Sequence, residues 1–108
     1  MADAAMASGS GSGIDRRLQA FTLFVPRIRV YTTEWCGLCV RAKWLLDARG
    51  LAYREIPLDD DPGFRQRVYD LGQQWTVPLV TIDDEPIGGY RELAALDRSG
   101  LLAERLAA

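Results

Sequence analysis

The sequence predicts an α/β domain in which a small four-stranded mixed sheet is flanked by helices on both faces. Short β-branched segments alternate with segments of helical spacing along residues 27–72, which is typical of β-α-β units. Further along, two apolar segments are separated only by Asp83-Asp84, which favours a hairpin. The order βαβαββα, followed by a helical tail, predicts a sheet between two helical layers.

The first half of the domain begins with a strand at residues 27–32, where β-branched and polar residues alternate. Helical spacing starts at the cysteines and ends at Gly50, a residue type that favours the left-handed turn after a helix. Trp44 lies off the apolar stripe of this helix and is expected to be partly exposed. The residues on the predicted inner face are Leu38, Ala42, Leu45 and Leu46.

A second strand and a second helix follow. The strand is predicted at residues 53–57, and its closing proline favours an edge position, because the missing N–H is harmless there. Residues 59–62, Asp-Asp-Asp-Pro, predict a helix start with acidic capping residues and proline in the first turn. That helix should continue at helical spacing as far as Gly72.

The last part of the domain is predicted to be a hairpin followed by helix. The third strand covers residues 77–82, a run apolar enough to be buried, and residues 85–88 form a short fourth strand after the Asp83-Asp84 turn. A helix then begins after two glycines and breaks near residue 100. Residues 101–106 complete the domain with a final helical turn or two.

Length and composition limit what the chain can be. Its 108 residues suffice for one small domain with a single core, assigned here to residues 27–108. Residues 1–13 are small and polar and are expected to form a disordered tail or an expression scar. Residues 14–26 form a short N-terminal extension, whose apolar side chains should pack on the domain or on a partner. The formal charge of −2 gives no reason to expect nucleic-acid binding, and no apolar run approaches the ~20 residues of a membrane span.

Two cysteines, Cys36 and Cys39, lie between the first strand and the first helix. Residues at i and i+3 of a helix lie on one face, close enough for their sulfurs to bond. The first cysteine also meets unpaired backbone N–H groups at the helix start, which stabilise a thiolate. The pattern predicts a redox-active dithiol, with Cys36 as the nucleophile and Cys39, one turn on and more buried, as the resolving thiol.

Three other interpretations of the cysteine pair are weaker. A structural disulfide that closes so short a loop would contribute only about 2 kcal/mol. A zinc site needs two more ligands, and the chain has no histidine and no second cysteine pair, so no metal is expected. Two buried, inert cysteines are the third interpretation, and the strand–turn–helix setting argues against it.

Three motifs, taken in order, resemble the glutaredoxin family of the thioredoxin superfamily. Y-T-T-E-W-C-G-L-C at residues 31–39 matches the active-site entry, T-V-P at residues 76–78 the substrate loop, and I-G-G-Y-R-E-L at residues 87–93 the glycine pair before the last helix. The resemblance implies the thioredoxin/glutaredoxin fold, a cis bond before Pro78, and thiol–disulfide oxidoreductase activity on protein disulfides or mixed disulfides. The residues that it assigns to binding a thiol cofactor or peptide are Thr33, Trp35, Leu38, Thr76, Val77, Pro78, Gly88, Gly89 and Tyr90.

Departures from the family pattern concern the thiol that the site accepts. Many glutaredoxins carry C-P-Y-C where this chain has C-G-L-C. With Trp35 directly before the first cysteine, the motif is similar to those of thioredoxins and of the mycoredoxins of actinobacteria. Thr33, Trp75 and Arg91 stand where glutaredoxins often carry charged groups that help to hold glutathione. The expected cofactor is therefore a low-molecular-weight thiol, glutathione or else mycothiol or bacillithiol, and thioredoxin reductase is an alternative electron donor.

The resemblance leaves two further functions open beside a cytoplasmic, monomeric disulfide reductase. Some glutaredoxins hold a [2Fe–2S] cluster between two subunits, through the first cysteine and a thiol cofactor. Gly37 replaces the family's proline in the cysteine loop, and the resulting flexibility is compatible with that role. The other alternative is an interaction domain that keeps a redox fold without turnover, since fold alone does not fix function.

Overall fold

A computed structural model of the chain describes residues 25–107. The predicted tail at residues 1–13 and most of the extension at residues 14–26 lie outside these described residues. The elements, in chain order, are β1 (Ile28–Thr32), α1 (Gly37–Ala48), β2 (Tyr53–Pro57), α2 (Phe64–Gly72), β3 (Leu79–Ile82), β4 (Glu85–Gly88), α3 (Tyr90–Ser99) and α4 (Leu101–Ala107). Within residues 25–107, no helix has the length and apolar character needed to cross a membrane.

The four strands form one mixed sheet in the order β2-β1-β3-β4. β1 pairs parallel with β2, as expected for two strands joined by a helix, and antiparallel with β3. β3 and β4 form the predicted hairpin, whose turn residues Asp83 and Asp84 both have positive φ. β2 is an edge strand, which agrees with the proline at its end. The predicted fold class is confirmed.

Each face of the sheet carries its own apolar cluster, because successive side chains of a strand point to opposite faces. Val30 packs on one side and its neighbour Tyr31 on the other. The larger cluster joins the sheet to α1, α3 and α4 and comprises Ile28, Val30, Ala42, Leu46, Val80, Ile82, Leu93 and Leu102. The smaller cluster joins it to α2 and comprises Tyr31, Leu58, Val68 and Leu79. Helices therefore cover both faces, as predicted.

Two predicted boundaries are wrong. α2 begins at Phe64 and not at the aspartates, because Asp61 folds into a turn in which its carboxylate accepts the N–H of Gly63 and its carbonyl accepts the N–H of Phe64. β3 begins at Leu79 and not at Val77. The Val77–Pro78 bond is cis, as the resemblance implies, and the two residues form the loop that leads into the strand.

The inner face of α1 is narrower than the apolar stripe suggests. Ala42 and Leu46 are buried and Leu45 is partly buried, but Leu38 is 47% exposed, so its assignment to the inner face is wrong. Leu38 lies in the first turn of the helix and belongs to neither apolar cluster. Trp44 is exposed, as its position off the stripe predicts.

Candidate active site

The two cysteines are bonded to each other at the start of α1. Cys36 is the N-cap residue and has an extended backbone, whereas Cys39 lies inside the first turn of the helix. Their Cα atoms are 5.2 Å apart, within the range that a disulfide requires. The i, i+3 spacing therefore produces the cysteine pair that the sequence predicts.

The environments of the two sulfur atoms differ. Cys36 is partly exposed, and its Sγ accepts the N–H of Cys39 at 3.1 Å. The same sulfur lies 3.7 Å from the carbonyl oxygen of Val77. Cys39 is only 2% exposed, so a bulky reagent or substrate can reach Cys36 and not Cys39. The first turn of α1 holds no acidic residue that would oppose a negative charge on Cys36.

The loop before the dithiol is held from the neighbouring strand. The backbone N–H of Glu34 donates to the Asp59 carboxylate at 2.7 Å, and the N–H of Leu58 donates to the Thr32 carbonyl at 2.8 Å. Both bonds join the end of β1 to the residues after β2, since parallel strands end at the same edge of a sheet. The sequence interpretation assigned Asp59 to a helix cap. Parallel pairing of the two strands was the signal that could have placed it here.

Trp35, the residue directly before Cys36, is fully exposed. Its φ of 61° lies in the left-handed region, which non-glycine residues seldom adopt and which often marks a functional loop. The second tryptophan predicted near the site, Trp75, is half exposed and stacks on Tyr69 of α2, with ring centroids 4.3 Å apart. Both indoles thus present apolar surface to solvent.

The loop at residues 76–78 is fixed by a glutamine that sequence reasoning missed. The side-chain amide of Gln74 donates to the carbonyl of Thr76 at 2.6 Å and to that of Pro78 at 3.0 Å. These bonds hold the loop so that the Val77 carbonyl lies beside Cys36. No local pattern announces such a contact, because a single glutamine in a polar stretch is normally a solvated side chain.

The glycine pair adjoins this loop. A Cβ built on Gly89 would lie 3.4 Å from the Pro78 carbonyl oxygen, so the two segments are in contact. Gly88 has a φ of 124°, a conformation that only glycine adopts without strain. The N–H of Gly89, a residue that the resemblance assigns to ligand binding, donates to the chain's own Glu92 at 2.8 Å. Tyr90 begins α3 with its ring 5.6 Å from the guanidinium of Arg41.

On the other side of the dithiol, an open groove of ≈520 Å³ lies between the start of α1 and β2, and we call it the β2-side groove. Two predicted binding residues, Thr33 and Trp35, line it together with both cysteines. Its remaining lining residues are Thr32, Glu34, Val40, Lys43, Glu55, Pro57 and Asp59. Apart from Leu38, which is exposed in the first turn of α1, the predicted binding residues are divided between this groove and the surface formed by residues 76–78 and 88–90.

The β2-side groove contains an ion pair. The Lys43 ammonium and the Thr32 hydroxyl both donate to Oε2 of Glu55, at 3.0 and 2.8 Å. Partial burial raises the pKa of the Glu55 carboxyl, but the hydrogen bonds from Thr32 and Lys43 outweigh it and leave that pKa below its ordinary value. Glu55 is therefore ionised at neutral pH. Within residues 25–107, no group of three or more cysteine, aspartate or glutamate side chains is arranged to hold a metal ion.

Comparison with known proteins agrees with this geometry. The family model for glutaredoxin matches residues 28–87. The chain is 38% identical over 84 residues to a glutaredoxin of Pseudomonas aeruginosa, which covers 78% of this chain and all of that protein. It is also 38% identical to glutaredoxin 3 of Escherichia coli, over 70% of this chain and 92% of that protein.

Solved structures show the same likeness. A buckwheat glutaredoxin, whose structure is described as a complex with glutathione, superposes with a TM-score of 0.69 and 30% identity, over 85% of this chain and 88% of that one. The holo form of glutaredoxin C1 from a poplar hybrid gives a TM-score of 0.66 and 27% identity, over 73% and 81% of the two chains. With its dithiol at the start of α1, the chain belongs to the glutaredoxin family and is a thiol–disulfide oxidoreductase.

Proposed function

We propose that Cys36 is the nucleophile of this oxidoreductase and Cys39 the resolving thiol. The observation that carries the assignment is the unequal exposure of two cysteines that share one helical turn. Cys36 is accessible and receives a backbone N–H, whereas Cys39 is 2% exposed. An attacking thiolate needs both access and stabilisation of its charge, and only Cys36 has both.

In the proposed reaction, the Cys36 thiolate attacks one sulfur of a substrate disulfide and displaces the other as a thiolate. Cys39, once deprotonated, attacks the Cys36 sulfur, and the substrate's second sulfur leaves. The substrate gains two electrons and two protons, while the enzyme ends with the Cys36–Cys39 disulfide. A low-molecular-weight thiol or a reductase then returns the enzyme to the dithiol form.

The backbone beside Cys36 is suited to an extended peptide or a thiol tripeptide. The Val77 carbonyl lies 3.7 Å from the sulfur, and an extended ligand can pair with such backbone as a short added strand. The buckwheat relative described as a glutathione complex supports glutathione as a cofactor. The protein's partners in this proposal are disulfide-containing proteins, mixed disulfides and the thiol itself.

We further propose that glutathione is a weak cofactor here. Thr33, Trp75 and Arg91 replace charged groups that help glutaredoxins to hold it, and each missing charge-assisted bond forfeits roughly 1.5–3 kcal/mol, or about 10- to 150-fold in affinity. In addition, the Glu92 carboxylate already accepts the hydrogen bond of the Gly89 N–H and brings a negative charge to the start of α3. Mycothiol, bacillithiol or a thioredoxin-reductase system should support faster turnover. Neither the geometry nor the comparisons give specific support to the alternative, a cluster-carrying dimer.

Serine variants test the roles of the cysteines. Cys36→Ser should lose all activity on a protein disulfide and on a mixed disulfide of glutathione. Cys39→Ser should lose protein-disulfide reduction but keep part of the mixed-disulfide activity, because a free thiol can resolve that intermediate. Wild-type activity of Cys39→Ser on both substrates would contradict the dithiol mechanism.

The cofactor is tested by comparing kcat/KM for one disulfide substrate with each donor: glutathione, mycothiol, bacillithiol and a thioredoxin-reductase system. Glutathione should give measurable turnover that is lower than that of at least one other donor. A clear preference for glutathione would mean that the three substitutions do not weaken its binding. The variant Arg91→Asp should raise the glutathione value alone, and Arg98→Asp, at the far end of α3, provides the matched control.

A further inference from the structure

The β2-side groove contains charged groups that the mechanism above does not use. Both cysteines line it, as do three carboxylates and one lysine: Glu34, Glu55, Asp59 and Lys43. Of the described side chains around the groove, Lys43 alone is cationic. Asp59 accepts the loop N–H of Glu34, and the Glu34 side chain is exposed, whereas Glu55 is held in a fixed position by Lys43.

The pair shares a face of α1 with Cys39. Lys43 follows Cys39 by four residues, so the two side chains lie one above the other on the same face of α1. Glu55 comes from β2, across the groove. Its Oε2 accepts hydrogen bonds from Lys43 and Thr32, and its Oε1 has no hydrogen bond from the described residues. One carboxylate oxygen thus orients the group, and the other is able to accept a proton.

Cys39 needs such a group. Only the thiolate attacks a disulfide, and burial disfavours the charged form of a thiol. Cys36 has the helix start and its backbone N–H groups, but Cys39 is 2% exposed and donates its own N–H to Cys36. The resolving step therefore requires that a proton leave a buried sulfur and that a negative charge develop there.

We propose that Glu55 accepts the proton of Cys39 in the resolving step and that Lys43 is the residue that positions Glu55. The proton passes from the Cys39 thiol to Oε1 of Glu55, directly or through a water molecule, for which the groove has room. The Cys39 sulfur then bonds to the Cys36 sulfur, and the Cys36–substrate bond breaks. The substrate sulfur leaves with the electron pair and takes a proton from solvent, and Glu55 gives its proton to solvent water. This inference rests on the resolving role proposed for Cys39.

Stopped-flow oxidation of the reduced enzyme by dithiobis(nitrobenzoate) separates the two steps. Attack by Cys36 releases one coloured thiolate, and attack by Cys39 on the resulting mixed disulfide releases a second. Reagent is used in excess, so that the first release is the faster one. In Glu55→Gln the rate of the second release should fall at least about 10-fold near pH 6, which is a modest loss for the removal of a general base. The difference should narrow towards pH 9, where hydroxide replaces the lost carboxylate. Glu104→Gln, on α4, is the control.

Conservative variants separate proton transfer from a structural effect. Glu55→Asp and Lys43→Arg should retain the second release within about three-fold, whereas Lys43→Met should slow it in the same pH-dependent way. The first release, which reports Cys36, should be unchanged in all of them. If Glu55→Gln does not fold, the comparison of Lys43→Met with Lys43→Arg decides the question.

Two results would overturn the proposal: a second release in Glu55→Gln with the wild-type rate and pH profile, or an equal slowing of both releases. A different result bears on Cys39 itself. If the wild-type enzyme releases only one equivalent of coloured thiolate, the resolving role fails, and the proposal for Glu55 fails with it. That outcome is recognised in the wild type, before any Glu55 variant is measured.

Discussion

The unequal environments of the two cysteines predict how their reaction with an alkylating agent depends on pH. The measurement uses single-cysteine proteins, Cys39→Ser to report Cys36 and Cys36→Ser to report Cys39. Cys36 lies at a helix start and accepts a backbone N–H at 3.1 Å, so its thiol should ionise well below the ~8.5 of an unperturbed thiol. Cys39 is 2% exposed and has no comparable stabilisation.

The size of the effect depends strongly on the pH chosen. At pH 7, a thiol with a pKa of about 6 is roughly 90% ionised and one with a pKa of about 8.5 roughly 3%, a 30-fold advantage. A thiolate loses intrinsic nucleophilicity as its pKa falls, by about 13-fold over this interval, so the net advantage is only about two-fold. Near pH 5.5 the ionised fractions are about 24% and 0.1%, and the net advantage grows to about 20-fold.

Iodoacetamide rates of the two variants should therefore diverge as the pH falls. The Cys36 rate should keep a plateau into mildly acidic solution, while the Cys39 rate falls about ten-fold per pH unit. Burial of Cys39 lowers its rate further at every pH, and alkylation in urea should remove that part. Equal rates for the two variants, or a Cys36 profile with its midpoint near 8.5, would refute the proposed activation by the helix start.

Two further predictions concern the segments that frame the dithiol. Asp59→Ala removes the hydrogen bond to the active-site loop and should lower the free energy of unfolding, measured by urea denaturation, by about 1 kcal/mol. The control variant Asp60→Ala should change that free energy by less than about 0.5 kcal/mol. Equal losses in the two variants would show that the bond does not hold the loop. Gly88→Ala forces a positive φ on alanine and places its Cβ 2.7 Å from Glu92, so it should cost about 1–3 kcal/mol. Gly50 also has a positive φ, but a Cβ added there meets open space, so Gly50→Ala should lower the free energy of unfolding by less than Gly88→Ala does. The reverse order would refute the steric argument.

The elements that the sequence predicts well depend on local chemistry. The i, i+3 spacing of Cys36 and Cys39 specifies a bonded pair at a helix start, and Pro57 specifies an edge strand, because each acts through its own backbone. The start of α2, in contrast, is not specified by local chemistry alone. Asp61 can cap a helix or close a turn on its own neighbours, and the choice between these conformations is made by the rest of the fold.

The polar contacts around the site could not be predicted in the same way. Gln74 reaches two loop carbonyls, and Lys43 reaches Glu55 on another strand, and each contact exists only because the sheet brings distant segments together. Isolated polar residues of these types are usually solvated, so the sequence alone favours that assignment. Glu92 is an intermediate case, since a glutamate three residues after the helix cap is a recognised capping pattern that the sequence contains.

The strands on either side of the two cysteines add to the chemical difference between them. Cys36 and Cys39 share a helix start, and their order there already favours Cys36 as the accessible thiolate. The loop that enters β3 places a backbone carbonyl beside Cys36, on the side where an extended ligand can pair. β2 places an ionised carboxylate in the groove that both cysteines line, on the same side as the Lys43 side chain. Attack needs an accessible thiolate, whereas resolution needs a buried thiol to lose its proton. In the mechanism proposed here, the strands on the two sides of the dithiol would therefore support different steps.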